Sequence, residues 1–482
     1  MSDTQLLIGG EMVPAAEGHT FTRHDPVTGK IATHAAAAGP ADVDRAVAAA
    51  AAAFPAWSET GPGKRREILM KAADILAART PDFIEAGIAE TGATGPWIGF
   101  NVMFAGQILR EAAAMTTQIK GEVVPSDKPG NISMAMRQPV GVLVGMAPWN
   151  APVILGMRAI AMPIACGNTI VLKASEKCPR LHMMIGECLT EAGLPAGVLN
   201  VLTHAAEDAP AVVKRLVEHP QVKRVNFTGS TRVGRIISEL AAPLLKPVLL
   251  ELGGKAPLVV LDDADLDAAV NAAAFGAFMN QGQICMSTER IIVDAGIADD
   301  FAALFSAKAA GLPHGDPRGP VVLGSVVDRD TIVKVDALIA DAIEKGAWLV
   351  TGGAGEGTIM PATIVDGVTP EMRLFREESF GPVVCIVRAR DADHAVELAN
   401  DTEYGLSAAV FGADIRRAMS VARRIDSGIC HINGPTVHDE AQMPFGGTKS
   451  SGHGRFGGSA GIDAFTELRW ITIEDPNQHY PF

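Results

Sequence analysis

A cysteine, a glutamate and an asparagine stand in sequence surroundings that suit covalent acyl chemistry. Cys285 lies in the polar, glycine-containing segment 280–287, where the backbone can bend and a substrate can approach. Glu251 precedes paired glycines, and Asn150 follows an apolar run. These residues offer a thiol nucleophile, a general base and an amide donor for an oxyanion. A lone cysteine is more often a small buried hydrophobe, but the three signals together favour catalysis.

A second group of residues suits the binding of an anion. Gly229 and Ser230 follow a predicted strand and open a predicted helix, which places backbone N–H groups and a hydroxyl at the positive helix end. We interpret this turn as a pyrophosphate site, with a simple helix cap as the alternative. Lys173 and Glu176 lie just past another apolar strand, at the edge where open α/β sheets bind ligands.

Several other patterns fail in their context. Residues 452–457 match the dinucleotide fingerprint GxGxxG, but no strand precedes them and no βαβ unit follows, so we do not interpret them as a phosphate loop. The aspartates between 262 and 267 lack the glycine and terminal glutamate of a calcium loop. There is no HExxH motif either, so no metal is indicated.

Composition limits the class of protein. A chain of 482 residues exceeds one ordinary core and predicts two or three domains. The net charge of −14, without a basic block, argues against nucleic acid as a partner. Six cysteines without a CxxC pair suit a reducing compartment, and we find no secretion signal and no membrane span. We therefore expect a cytoplasmic protein.

The elements that must position these residues form an α/β pattern. From residue 140 onward, short β-branched runs alternate with helices, which predicts a parallel sheet wound in βαβ units. A second α/β series begins near Ala256. Residues 121–137 look polar and irregular, and the end of the chain holds one strand-like stretch, 468–473. These two segments would suit an arm that adds strands to a neighbouring subunit.

Six motifs, in this order and with these gaps, resemble the motif set of the NAD(P)-dependent aldehyde dehydrogenase superfamily. The motifs are Pro148-Trp149-Asn150, Lys173-Ala174-Ser175-Glu176, Phe227-Thr228-Gly229-Ser230-Thr231, Glu251-Leu252-Gly253-Gly254-Lys255, Gly282-Gln283-Ile284-Cys285 and Glu378-Ser379-Phe380-Gly381-Pro382. Residues 282–290, 431–434 and the ending 478–482 are most similar to bacterial salicylaldehyde, benzaldehyde and vanillin dehydrogenases.

The resemblance implies three parts. A Rossmann-type NAD-binding domain of five strands would comprise residues 1–117 and 139–253, with an atypical phosphate turn that needs no GxGxxG. An α/β catalytic domain would comprise residues 254–465, and a small β oligomerisation arm residues 118–138 and 466–482. Such proteins are usually homodimers or homotetramers.

The resemblance also implies a role for each matching residue. Cys285 attacks the aldehyde, the Asn150 amide and the Cys285 backbone N–H hold the oxyanion, and Glu251 activates the water that hydrolyses the thioester. For Glu251 the alternative is an ion pair with Lys255, and for Asn150 it is a turn. The residues expected to bind the cofactor are Trp149, Lys173, Glu176, Gly229, Ser230, Glu378 and Phe380. A carboxylate at Glu176 favours NAD over NADP.

Two positions depart from the commoner family pattern. Phe456 stands where many members have a glutamate that relays protons, so that route is not available. Arg158 stands where an aromatic or apolar residue usually enters the substrate tunnel. We interpret it as a donor to a substituent of the substrate, with an ion pair to Asp439 or Glu440 as the alternative. Trp97, Phe100 and Ile284 are the candidate apolar walls, although each could be core.

The expected function is NAD-dependent oxidation of an aromatic aldehyde to the carboxylic acid. One alternative is the same chemistry on an aliphatic aldehyde or a semialdehyde, with Arg158 binding the distal carboxylate. An alternative of another class is a cysteine thioesterase or hydrolase, which would need a histidine base. None of the twelve histidines lies in a matching motif.

Overall fold

A computed structural model describes residues 2–477 and 479–482. Met1 and Gln478 lie outside the described residues, and Gln478 belongs to the segment expected to complete the arm. No helix within the described ranges is long and apolar enough to cross a membrane.

Strands and helices alternate along most of the chain. The strands of the described residues are β1 (Ser2–Thr4), β2 (Leu6–Ile8), β3 (Glu11–Val13), β4 (Thr20–His24), β5 (Ile31–Ala36), β6 (Glu122–Val124), β7 (Ile132–Pro139), β8 (Val142–Met146), β9 (Thr169–Lys173), β10 (Leu199–Leu202), β11 (Val222–Thr228), β12 (Val248–Glu251), β13 (Ala256–Val260), β14 (Thr288–Asp294), β15 (Trp348–Thr351), β16 (Thr363–Asp366), β17 (Val383–Ala389), β18 (Ser407–Phe411), β19 (Ile429–Ile432), β20 (Gly452–His453) and β21 (Thr466–Ile473).

Along the chain, most of the helices connect successive strands of the two large sheets. They are α1 (Pro40–Ser58), α2 (Pro62–Ala78), α3 (Thr80–Thr91), α4 (Gly95–Met115), α5 (Pro152–Ala165), α6 (Pro179–Glu191), α7 (Ala209–Glu218), α8 (Thr231–Ala241), α9 (Leu266–Phe278), α10 (Ala298–Ala310), α11 (Arg329–Glu344), α12 (Arg373–Arg376), α13 (Ala392–Asn400), α14 (Ile415–Ala422) and α15 (Gly458–Phe465).

The first large sheet has the order β20-β12-β11-β8-β9-β10-β2-β3. Its five central strands, β12 to β10 in that order, are parallel, as the alternating pattern predicts. The chain leaves β8 toward β9 and β10 and later returns to the other side as β11 and β12. This reversal opens a crevice at the carboxyl ends of β8 and β11, the place where open α/β sheets bind ligands.

The second large sheet has the order β15-β16-β17-β14-β13-β18-β19 and is parallel except for the edge pair β15–β16. Its strands are apolar on both faces because helices cover both sides. The Cys285 segment enters this sheet at the beginning of β14. The second sheet therefore presents the thiol at the amino end of a strand.

A three-stranded antiparallel sheet, β21-β7-β6, joins the two segments expected to form the arm. The interpretation of residues 121–137 as irregular is wrong where β6 and the first part of β7 lie. Of the eight residues of β7, three are exposed, four are partly buried and one is buried, so this strand lacks the continuous apolar run that marks the central strands.

The GxGxxG sequence at 452–457 has a structural explanation. Gly452 and His453 form β20, which pairs antiparallel with β12 at the edge of the first sheet. At Gly452 φ is +106°, and a Cβ would stand 2.1 Å from the Leu250 carbonyl oxygen. The glycine serves a close approach of two strands.

Candidate active site

The backbone before Cys285 has a left-handed conformation at three successive residues. The φ values are +49° at Asn280, +56° at Gln281 and +69° at Gly282. A Cβ on Gly282 would stand 2.2 Å from the Gly381 carbonyl oxygen, so only glycine fits. Such a run is costly for non-glycine residues and persists only where the surroundings hold it in place.

Two buried glutamines hold the cysteine loop, residues 280–287, in place, and sequence reasoning missed both. Gln281 donates to the Ser325 carbonyl at 2.8 Å and accepts from the Gly324 N–H at 2.9 Å. Gln283 accepts from the Val327 N–H at 3.0 Å. The sequence indicates this role only in that two polar glutamines stand in a segment that is buried in the fold. Each side-chain amide pairs both its N–H group and its oxygen with backbone groups, and these bonds fix the position of Cys285.

Asn150 lies four residues past the end of β8 and is buried. Its side-chain amide donates to the Gln283 carbonyl at 2.9 Å, which uses one of its two N–H bonds. Its own carbonyl accepts from the Trp97 indole at 3.0 Å and from the Asn280 amide at 2.9 Å. The asparagine is therefore held rigidly beside the cysteine loop, with one N–H left for a ligand.

Glu251 is the last residue of β12 and is buried. Neither of its carboxylate oxygens has a hydrogen-bond partner among the described residues. Burial raises the pKa of Glu251 to about 7, against the lowering effects of Cys285 and Arg158. The alternative ion pair with Lys255 is wrong, because Lys255 pairs with Glu289 instead.

The Cys285 thiol is partly buried, and its surroundings disfavour the thiolate. Burial first, and then the charge of Glu251, raise the pKa of this thiol well above its usual value. Arg158 acts in the opposite direction. The resting thiol is therefore protonated at neutral pH, and a base must take its proton before it can attack.

One cavity of about 260 Å³ extends from Cys285 toward the amino end of α8. Five of the expected cofactor residues line it: Trp149, Gly229, Ser230, Glu378 and Phe380. The Ser230 hydroxyl caps α8 by accepting from the Val233 N–H at 3.4 Å. Glu378 accepts from the Gly254 N–H at 3.0 Å, and burial raises its pKa to about 7. A helix amino end, a carboxylate and two aromatic rings fit a dinucleotide's pyrophosphate, ribose and nicotinamide.

Lys173 and Glu176 stand together at the carboxyl end of β9, outside the lining of that cavity. Although burial acts to raise it, the charge of Lys173 lowers the pKa of Glu176 below its usual value. His204 also influences Glu176 and was not among the expected site residues. The pair lies at the next strand along the same sheet edge, where the far half of a dinucleotide would extend.

A second cavity, of about 590 Å³, reaches Cys285 from another side. All four expected substrate residues line it: Trp97, Phe100, Arg158 and Ile284. Trp97 stacks on Phe100 with ring centroids 5.6 Å apart, and Phe100 stacks on Phe104 at 5.9 Å. The further lining residues that sequence reasoning missed include Phe104, Phe275, Met279, Val437, His438 and Phe445, whereas Asp439 was expected only as the alternative ion-pair partner of Arg158.

Arg158 makes the ion pair that was the alternative interpretation. Its guanidinium donates to Asp439 and lies 4.2 Å from the centroid of the Phe445 ring. Burial raises the pKa of Asp439, although Arg158 opposes that effect. Phe456 is buried, with its ring 6.2 Å from that of Phe465.

The two cavities share Asn150, Leu155 and Cys285 in their linings. A substrate carbonyl at this junction would meet the thiol and the asparagine amide, and the smaller cavity would bring a second ligand to the same place. Glu251 lines the smaller cavity. The arrangement suits a reaction in which the substrate becomes an acyl group on Cys285 while a cofactor approaches the same place from the other side.

Comparison with known proteins agrees with this geometry. A profile of the aldehyde dehydrogenase family matches residues 12–471. The chain is 60% identical to a vanillin dehydrogenase of Pseudomonas fluorescens over the full length of both. It is 37% identical to a benzaldehyde dehydrogenase [NAD(+)] of Pseudomonas putida, with 97% of this chain and 96% of the relative covered. A crystal structure of a salicylaldehyde dehydrogenase from Pseudomonas putida G7, complexed with salicylaldehyde, has a TM-score of 0.99 and 48% identity, with both chains fully covered.

Proposed function

Because the chain belongs to the aldehyde dehydrogenase family, we propose that it oxidises an aromatic aldehyde to the carboxylic acid, with NAD as the hydride acceptor. The observation that carries this proposal is the junction of two cavities at Cys285. The larger cavity is lined mostly by apolar and aromatic side chains, and the smaller one by groups that suit a dinucleotide.

Each step uses a residue at that junction. Glu251 takes the proton of Cys285, and the thiolate adds to the aldehyde carbon. The Asn150 amide and the Cys285 backbone N–H stabilise the oxyanion, by about 3 kcal/mol per donor. Trp149, Ser230, Glu378 and Phe380 would hold NAD, which would supply the acceptor for the hydride. Loss of that hydride would convert the adduct on Cys285 into a thioester. Glu251 releases the proton that it took from Cys285 to solvent, and the regenerated carboxylate then deprotonates the water that hydrolyses this thioester.

The choice of NAD rests on Glu176. The family uses NAD or NADP, so the distinction depends on side chains near the adenosine ribose. A carboxylate at the carboxyl end of β9 can accept a hydrogen bond from a ribose 2′-hydroxyl and repels a 2′-phosphate. The name of one relative, the benzaldehyde dehydrogenase [NAD(+)], agrees with this proposal.

The choice of an aromatic aldehyde rests on the shape and chemistry of the larger cavity. The stacked rings of Trp97, Phe100 and Phe104 offer flat apolar surfaces to a ring. Arg158 adds a donor for a ring hydroxyl or methoxy oxygen. A similar chain whose structure contains salicylaldehyde, and another named for vanillin, support the same substrate class.

Two alternatives are less well supported. A semialdehyde would need a cation free to bind its distal carboxylate, whereas Arg158 is paired with Asp439. A cysteine hydrolase would need a histidine beside the thiol. Among the described residues, His438 is the one histidine in the linings of the two cavities that contain Cys285, and its ring lies 3.1 Å from the carboxylate of Glu440.

Formation of NADH tests the proposal directly. The purified protein should reduce NAD with benzaldehyde, salicylaldehyde and vanillin. The kcat/KM for these substrates should exceed that for hexanal and succinic semialdehyde at least about tenfold, a difference of ~1.4 kcal/mol. A higher kcat/KM for either aliphatic substrate would contradict the aromatic assignment. Release of acid from a thioester without any NADH formation would favour the hydrolase.

Two further expectations stay predictions. We expect a homodimer or homotetramer assembled through the arm of β6, β7 and β21. A cytoplasmic location remains the expectation from the number and spacing of the cysteines.

A further inference from the structure

The larger cavity contains one pair of opposite charges in an otherwise uncharged lining. Of its lining residues, Arg158 and Asp439 are the ones with formally charged side chains. His438 also lines the cavity, and its ring lies 3.1 Å from Glu440. Apart from His438, the charged side chains that a substrate ring meets in this lining are therefore one guanidinium and one carboxylate.

Arg158 and Asp439 are both largely buried, and neighbouring groups fix the position of the guanidinium. Arg158 belongs to α5 and is 7% exposed, and Asp439 belongs to the loop after β19 and is 13% exposed. The guanidinium also rests on the face of Phe445, 4.2 Å from its centroid. Packing on an aromatic face and a charge-assisted hydrogen bond both restrict the guanidinium, so it cannot turn freely toward a different anion.

Cancelling the charge of Arg158 strongly affects how this cavity binds an anion. Two unit charges interact more strongly in a partly buried cavity than in water, because the surroundings screen them less. An unpaired arginine would attract a carboxylate on the distal end of an aldehyde. With Asp439 beside it, that attraction is offset by repulsion from a like charge, and the incoming carboxylate still loses its hydration. A neutral ring carries neither cost.

We propose that Asp439 is a specificity-determining residue, which keeps aldehydes with a second, ionised carboxylate out of the active site by neutralising Arg158. The inference rests on the proposed function and goes beyond it, because it assigns the choice between neutral and anionic aldehydes to one side chain. Specificity of this kind depends on a repulsive element as much as on an attractive one.

The test compares two substrates of similar shape, 4-formylbenzoate and 4-methylbenzaldehyde, at pH 8. The quantity measured is the ratio of their kcat/KM values. Asp439→Asn keeps the shape of the side chain and removes its charge, so the ratio should rise at least about tenfold in favour of 4-formylbenzoate. The rise should shrink with added salt.

Two matched variants show whether the charge of Arg158 causes the change. Glu440→Gln removes one negative charge from the adjacent, exposed residue, and its ratio should equal that of the wild type. The double variant Arg158→Met/Asp439→Asn has an uncharged pair, and its ratio should return to within about threefold of the wild type. If Asp439→Asn does not fold, Asp439→Ser takes its place in the same comparison.

Three outcomes would overturn the inference. These are an unchanged ratio in the folded Asp439 variant, an equal rise in Glu440→Gln, and a rise that persists in the double variant. The proposed function fails differently, because it fails if the wild type does not oxidise neutral benzaldehydes. Activity on 4-methylbenzaldehyde therefore separates the two.

Discussion

The acid–base properties of two side chains control the chemistry at the residue scale. The pKa of the Cys285 thiol lies well above its usual value, mainly because its partial burial removes water from the thiolate, and the pKa of Glu251 is raised to about 7. A protonated thiol beside a carboxylate that is half ionised near neutrality suits one base with two tasks. The base first activates the sulfur and later activates water.

Replacement of Cys285 by alanine should abolish NAD reduction and leave NAD binding intact. The nucleophile is lost, whereas the turn at Gly229 and Ser230 is untouched. Turnover should fall at least about a hundredfold, since catalytic groups that act as a unit are worth several orders of magnitude. NAD binding, followed by quenching of tryptophan fluorescence, is the control. A variant that retained more than a hundredth of the activity would rule out a thiol mechanism.

Steady-state turnover should rise with pH through an apparent pKa near 7, the value to which burial raises Glu251. Turnover rises with pH because Glu251 acts as a base. Below pH 7 its carboxyl group is mostly protonated and cannot accept a proton, and above pH 7 it is mostly ionised and can. The measurement is kcat against pH from 5.5 to 8.5, with saturating benzaldehyde and NAD.

The matched variant is Glu251→Gln, which keeps the shape and removes the base. Its steady-state rate should collapse and lose the rise near pH 7, while a first-turnover burst of NADH survives, slowed if Glu251 also activates Cys285. A normal steady-state rate in this variant would show that another group is the essential base.

At the scale of elements, the edges of two sheets bring the site together. Asn150 follows β8, Ser230 follows β11 and Glu251 ends β12, all at one edge of the first sheet. Cys285 comes just before β14 of the second sheet. Residues far apart in sequence meet because parallel strands end at a common edge.

The sequence predicts this arrangement where the signal is local. Continuous apolar runs mark the central strands, and the turn at Gly229 and Ser230 follows one of them. The loop from 435 to 445 carries no such signal, although it brings His438, Asp439 and Phe445 into the substrate cavity. Its irregular path depends on tertiary contacts, among them the ion pair with Arg158, and these cannot be derived from periodicity.

The carboxyl end of β9 should control the choice of cofactor. Glu176→Thr removes the charge that would repel a 2′-phosphate, so the ratio of kcat/KM for NAD over NADP should fall at least about tenfold. Glu191→Thr, at the exposed end of α6, changes the net charge equally and should leave the ratio unchanged. An unchanged ratio in Glu176→Thr would assign the discrimination to another group.

At the scale of the whole molecule, the sheet of β6, β7 and β21 leaves apolar side chains exposed. Trp470 is 78% exposed and Leu468 is 61% exposed. β21 is an edge strand of eight residues that pairs with β7 alone among the described strands. An exposed, long and apolar edge is a template for pairing with another chain, so an isolated subunit would carry a liability for aggregation.

We therefore predict that Leu468→Glu/Trp470→Glu dissociates the oligomer, because two charges on β21 cannot be buried against a neighbouring subunit without partners. The molar mass from size-exclusion chromatography with light scattering should drop to that of a smaller species, while the circular dichroism spectrum stays unchanged. Val333→Glu/Ile343→Glu, which charges two exposed apolar positions on α11, is the control and should keep the wild-type mass. An unchanged mass in the β21 variant would show that the arm does not hold subunits together. An equal loss in the control would mean that added charge, rather than its place on β21, causes dissociation.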